Sequence, residues 1–130
     1  MECIVNLRIK RDLVETLIRI HEDHIQYVYP NGYNGTINFS SEEGLEIAKR
    51  VKSDPNRAKF IQIVDSLDLD MKRELIALMW LGKNDEHSVE QFHGLREQAV
   101  GVQDTAAEFL VGQSELSTSL LEGMGKLGVI

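Results

Sequence analysis

Apolar residues recur along this chain mostly at helical spacing, and the densest run lies at residues 75–82. At about 100° per residue, Met71, Leu75, Leu78 and Met79 share one helical face, while Lys72, Arg73 and Glu74 keep the first turn partly wet. From Leu75 onward the apolar residues cover the whole circumference, with Ile76 and Trp80 opposite Leu78. A helix apolar all round is buried or spans a membrane, and this run is far shorter than the roughly 20 residues a span needs. A central core helix is therefore expected, capped by Asp68 and ended by a left-handed Gly82 with Lys83 near its negative pole.

The same pattern organises the rest of the chain. Leu13, Leu17, Ile20 and His24 line one side of a helix over about Asp12 to Tyr27, with Asp12 and Glu15 as a capping box. Ser40 or Ser41 starts a short helix to about Lys52. After Ser53, Asp54 and Pro55 supply a cap and a first-turn proline. From Pro55 to Ser66 the stripe is Phe60, Ile63, Val64 and Leu67. Ser88 with Gln91 caps a longer helix whose seam is Phe92, Leu95, Ala99, Val102, Ala106 and Phe109. Gly94 and Gly101 weaken that helix by roughly 1 kcal/mol each, allowing either a close neighbour or a bend. Gly112 closes it. Leu116, Leu120, Met124 and Leu127 line a last helix, whose end Gly123, Gly125 and Gly128 predispose to fraying.

Two stretches break the helical period. Cys3, Val5, Leu7 and Ile9 alternate as a strand would, and one continuous helix from about Val5 is the alternative. Residues 27–39 are rich in turn signals, with Pro30 and two Asn-Gly pairs, and Ile37 and Phe39 alternate after them. A short β-ribbon pairing residues 3–9 with 36–39 is compatible with both stretches. The expected fold is mainly α: one domain over residues 1–130, a compact bundle of about five to six helices. Residues 1–53 form an N-terminal helix and turn-rich segment, and residues 54–130 a four-helix portion.

The run from Ile61 to Gly128 resembles a family of small bacterial proteins classed as a domain of unknown function. The specific block is A-L-M-W-L-G, here Ala77 to Gly82, and the likeness extends over about residues 54–128. Other matching residues are Leu67, Asp68, Glu74, Leu75, Ser88, Leu95, Ala99, Thr105, Leu110, Gly112, Leu116, Leu120, Glu122, Gly123, Leu127 and Gly128. Ser114 stands where the family pattern has a proline, which leaves the start of the last helix open. The resemblance implies a helical fold and carries no activity with it.

Charge narrows the function classes. The net charge is −7, and residues 84–130 hold two Lys/Arg against eight Asp/Glu, so the last third carries most of the acidity. Such a surface repels phosphate backbones. The best basic cluster is Lys49, Arg50, Lys52, Arg57 and Lys59, diluted by Glu46 and Asp54, and nucleic-acid binding there is the weaker alternative to a solvated face. One cysteine cannot form an internal disulfide, and the N-terminus has no secretory pattern, so a cytoplasmic protein with no membrane span is expected.

Candidate chemistry is sparse. His21 and His24 lie three apart on a helix, with Glu22 and Asp23 between them, and could face one metal ion. The spacing is not that of a zinc helix, and a solvated face with one half-buried histidine is the plainer account. Asp65, Asp68, Asp70 and Glu74 lack the central glycine and terminal glutamate of a calcium loop, and Cys3 has no neighbouring histidine. No catalytic set emerges and no cofactor is expected. Tyr27, Tyr29, Tyr33 and Phe39 gather near the turns, where they serve either as a recognition surface or as pins for the loop. The expected core is Phe60, Val64, Leu75, Leu78, Met79, Trp80, Phe92, Leu95, Phe109 and Leu120. A non-catalytic protein-interaction or regulatory domain follows, with a protein partner or a homodimer formed through the 92–109 seam. A small metal-dependent enzyme built on His21 and His24 is the alternative.

Overall fold

The computed structural model describes residues 7–29, 42–84, 86–113 and 115–128, with Glu43 described by its backbone alone. Among these residues the chain is helical and forms no strand. Its α-helices are α1 Arg11–Val28, α2 Glu42–Ser53, α3 Pro55–Asp65, α4 Leu69–Lys83, α5 Phe92–Gln98, α6 Ala106–Val111 and α7 Leu116–Leu127. Residues 3–6 and 36–39 of the expected β-ribbon, and the Ser40 and Ser41 caps, lie outside the described residues. Residues 7–9 are not a strand.

The central position of α4 follows from its composition. Residues 74–79, Leu81 and Gly82 are all buried, and α4 packs most extensively on α7, then on α5. Asp68 caps it by accepting the Met71 N–H at 2.8 Å. At its other end the orphan carbonyls are gathered by a cation from α7. Lys126 Nζ donates to Leu81 O at 2.7 Å and to Asn84 O and His87 O at 2.9 Å.

Gly82 does not end α4. The helix runs on to Lys83, and Gly82 sits inside it for a packing reason. A Cβ there would lie 1.8 Å from Ser119 O and 2.6 Å from Gly123 N. Gly123 answers from α7, where a Cβ would lie 2.2 Å from Leu78 O. The two backbones touch, so neither position has room for a side chain. The left-handed cap belongs instead to Gly128, with φ of 76°, and α7 stays helical up to it.

The long seam helix expected after Ser88 is broken. The Ser88–Gln91 capping box forms, but it opens a 3-10 turn, Val89–Gln91, ahead of α5. Two more such turns, Ala99–Gly101 and Gln103–Thr105, separate α5 from α6. The break lets α5 lie on α4 while α6 lies on α3, which one straight helix could not do. Gly101 is exposed and touches nothing across the break, so it marks a bend rather than a close approach.

The core gathers Phe60, Val64, Leu75, Leu78, Met79, Phe92, Leu95 and Leu120, all buried. Trp80 and Phe109 depart from the expected core. They are half-buried at its edge and meet ring edge to ring face at 6.2 Å. The faces of α4 toward α5 and α7 are already filled, which leaves Trp80 the remaining side. No helix among the described residues is long and apolar enough to cross a membrane.

Candidate functional site

Helix α1 starts after Lys10 rather than at an Asp12 cap, and its buried stripe is Val14, Leu17, Ile18, Ile20, His21, His24 and Val28. Leu17, His21, His24 and Val28 fall at steps of four, three and four, so both histidines continue an apolar line. That spacing was readable; the charged neighbours Glu22 and Asp23 obscured it. Both rings are buried, contrary to a solvated face with one half-buried histidine.

Each ring has a fixed partner. His21 Nε2 lies 3.2 Å from Val111 O on α6, which makes it the proton-bearing nitrogen. Burial, aided by the neighbouring His24 and opposed by the Val111 bond, lowers the His21 pKa from 6.5 to about 4. It is a neutral donor at pH 7. His24 Nδ1 lies 2.7 Å from Asp54 Oδ2. Asp54 is itself buried, and its other oxygen accepts the Asn56 N–H at 3.0 Å, capping α3. The two imidazoles meet edge to face at 6.1 Å, and His21 meets Phe60 in the same way at 5.9 Å. One carboxylate thus caps a helix and orients a ring from another helix. The partner of His24 is thirty residues downstream and follows from no local pattern.

This arrangement does not suit a metal. His21 Nε2 and His24 Nδ1 are engaged with different groups, and no cluster of three or more His, Cys, Asp or Glu side chains placed to hold an ion occurs among the described residues.

A second cluster forms around Glu74, which is buried rather than wet. Its carboxylate accepts the N–H of Arg8 at 3.0 and 2.9 Å and that of Ile9 at 3.2 Å, so α4 holds the segment before α1. Arg96 Nη1 stands 4.0 Å away. Burial raises the Glu74 pKa against the opposing pull of these donors and guanidiniums. The crevice above it, about 320 Å³, is lined by Arg8, Asp70, Arg73, Glu74, His93, Arg96 and Glu97. Its charges are largely neutralised within the protein. Arg8 pairs with Asp68 at 3.0 Å and Asp70 at 3.1 Å, Arg73 pairs with Asp70, and Arg96 lies over the Phe92 ring at 5.5 Å. Glu74 was legible too, since it lies three after Met71 and four before Leu78 on the core face.

The remaining sequence candidates are dispersed. Tyr27 is 45% exposed with its hydroxyl 3.5 Å from Ser53 Oγ, and Tyr29 is half-buried. Tyr33, Phe39 and Cys3 lie outside the described residues. Lys49, Lys52 and Lys59 are exposed on two helices, Arg50 stands 3.9 Å from Glu46, and Arg57 is half-buried at the start of α3.

A family model described as "Protein of unknown function (DUF3775)" matches residues 57–129, more than half of the chain. No curated protein and no solved structure matches it. The matched stretch holds α4, α5, α6, α7 and most of α3, including Glu74, Gly82, Gly123 and Lys126. His21, His24 and Asp54 fall before it.

Proposed function

The chain belongs to the DUF3775 family of proteins of unknown function, and we propose that it acts as a non-catalytic protein-interaction or regulatory domain. The observation that carries this reading is the occupation of its buried ionisable groups. Glu74 holds the backbone of Arg8 and Ile9, Asp54 caps α3 and orients His24, and His21 bonds the end of α6. A general acid, base or nucleophile must be within reach of a substrate. These groups join segments of the protein instead.

Recognition features are on the outside. Tyr27 and Leu45 are 45% and 56% exposed, on the two helices that flank the aromatic stretch with Tyr33 and Phe39. An exposed tyrosine is a usual anchor of protein contacts, and Leu45 adds apolar surface beside the same stretch. The reading comprises a single domain, supported by the packing of α1 on α3 and α7. It also comprises a cytoplasmic setting, supported by one cysteine in 130 residues.

The test uses the full chain as bait in its native cell, with a Tyr27→Ser, Leu45→Ser double variant beside it. The expected result is a partner, or a second copy of the chain, held by the native protein and lost by the variant, with both melting at the same temperature. An identical set of captured proteins in both arms overturns the assignment of this surface.

A further inference from the structure

Near the His24–Asp54 pair the protein forms a partly open cavity that its helix-joining bonds leave unused. It measures about 220 Å³ and lies where the ends of α1, α2 and α6 meet the start of α3. Ile25, Val28, Val51 and Val111 supply apolar wall, and Gly112 adds backbone without a side chain. His24 forms another part of the wall, and the 2.7 Å bond to Asp54 fixes its ring.

Two charged groups also line this cavity, Arg57 from α3 and Glu108 from α6. Neither makes an ion pair or a side-chain hydrogen bond among the described residues. The contrast with the Glu74 crevice is direct, since Arg8 and Arg73 there are both bound to Asp70. Arg57 is half-buried beside an apolar hollow, and among the described residues nothing takes the donors of its guanidinium. Its planar fork matches a carboxylate, with two parallel hydrogen bonds. Apolar walls with a few convergent polar or charged groups, here Arg57 and Glu108, are the usual make-up of a small-molecule site.

We infer that this cavity binds a short aliphatic carboxylate, its hydrocarbon body against Val28, Val51 and Val111 and its carboxylate on Arg57. At the packing density of protein interiors the space holds roughly eight non-hydrogen atoms, the size of a branched five- or six-carbon acid. A phosphate group fits poorly, because one guanidinium leaves most of its oxygens without donors and Glu108 repels the extra charge. The same carboxylate chemistry could come from a free fatty acid or from an aliphatic amino acid, whose ammonium group would face Glu108. The inference stands apart from the partner-binding surface and does not depend on it.

The test is methyl-resolved NMR titration of the full chain with sodium isovalerate, L-leucine and isoamyl alcohol. The expected result is a saturable shift of the Val28, Val51 and Val111 methyls with isovalerate or leucine, and at least tenfold weaker binding in Arg57→Gln. Glu108→Gln separates the two sources: it tightens isovalerate if the ligand is a simple acid and weakens leucine if it is an amino acid. Three outcomes overturn the inference. They are no saturation by either carboxylate up to about 10 mM, equal binding of isoamyl alcohol, or an Arg57→Gln variant that binds as the native protein does.

Discussion

The α4–α7 crossing and the α1–α3 junction both hold helices together in the interior, by opposite means. At the crossing, Gly82 and Gly123 contribute no side chain of their own and let backbone meet backbone. At the junction, Asp54, His24 and His21 place polar atoms between the helices and satisfy each with a specific partner. The crossing is sensitive to added volume, because close-packed backbone has nowhere to move. The junction is sensitive to a lost partner or an added proton, because a buried polar group left alone pays its full desolvation penalty. One protein thus contains a steric joint and an electrostatic joint, and each should fail only under its own kind of perturbation.

The largest effect is expected at the steric joint. Gly82→Ala should cost more than about 3 kcal/mol, above the usual range for overpacking because the obstacle is the Ser119 carbonyl itself. Chemical denaturation of the purified variant checks this, and a midpoint within error of the native one would contradict the close crossing.

Next comes the pH response of the electrostatic joint. The folded-state His21 pKa of about 4 lies below its ordinary value of 6.5. Between those values the unfolded chain binds the proton and the folded one does not. Stability from this group is therefore complete above pH 6.5 and is lost as the pH falls toward 4, on the order of 3 kcal/mol in all. Urea midpoints measured across that range should fall, and His21→Gln should remove most of the slope. Glu74 acts in the opposite sense. Its raised pKa means that protonation above its ordinary value of 4.5 favours the folded state as the pH falls. An unaltered slope in His21→Gln would separate the acid response from this ring.

Asp54→Ala removes a helix cap and a buried partner of His24 together, and a loss of about 2–3 kcal/mol is expected. Asp54→Asn keeps the cap and should cost about half as much. Equal losses in the two variants would mean that the cap contributes nothing. The smallest change is a control for the steric joint. A Cβ on Gly94 would meet nothing within 4 Å, so Gly94→Ala should stabilise α5 by about 0.5–1 kcal/mol. Destabilisation there would show that alanine is resisted for reasons other than contact.

Several local signals act in the structure as the sequence predicts, although the Asp12–Glu15 capping box does not, since α1 starts after Lys10. The Asp54 and Asp68 caps, the proline at the first turn of α3 and the Ser88–Gln91 box all act within three or four residues. So did the all-round apolar character of α4, which needs no knowledge of its neighbours. Glu74 and His21 lie in phase with the buried faces of their helices, yet their residue types point to solvent. Gly82 is ambiguous for a different reason. A glycine near a helix end is equally compatible with a left-handed cap and with a close crossing, and only the position of Ser119 and Gly123 decides between them. The break at residues 99–105 is similar, since Gly101 allowed a bend whose use depended on where α3 and α4 stood.

By itself, then, the sequence determined the helical class, the Asp54 and Asp68 caps, the identity of the core helix and the membership of the DUF3775 family. These follow from periodicity and short-range hydrogen bonding, which act over one or two turns of chain. The tertiary structure alone decided that Asp54 meets His24, that Glu74 holds the backbone of Arg8 and Ile9, and that Arg57 and Glu108 line one cavity. Each of those depends on residues thirty to sixty-six positions apart, and the energy that brings them together comes from apolar burial spread over the whole core, which no short stretch encodes.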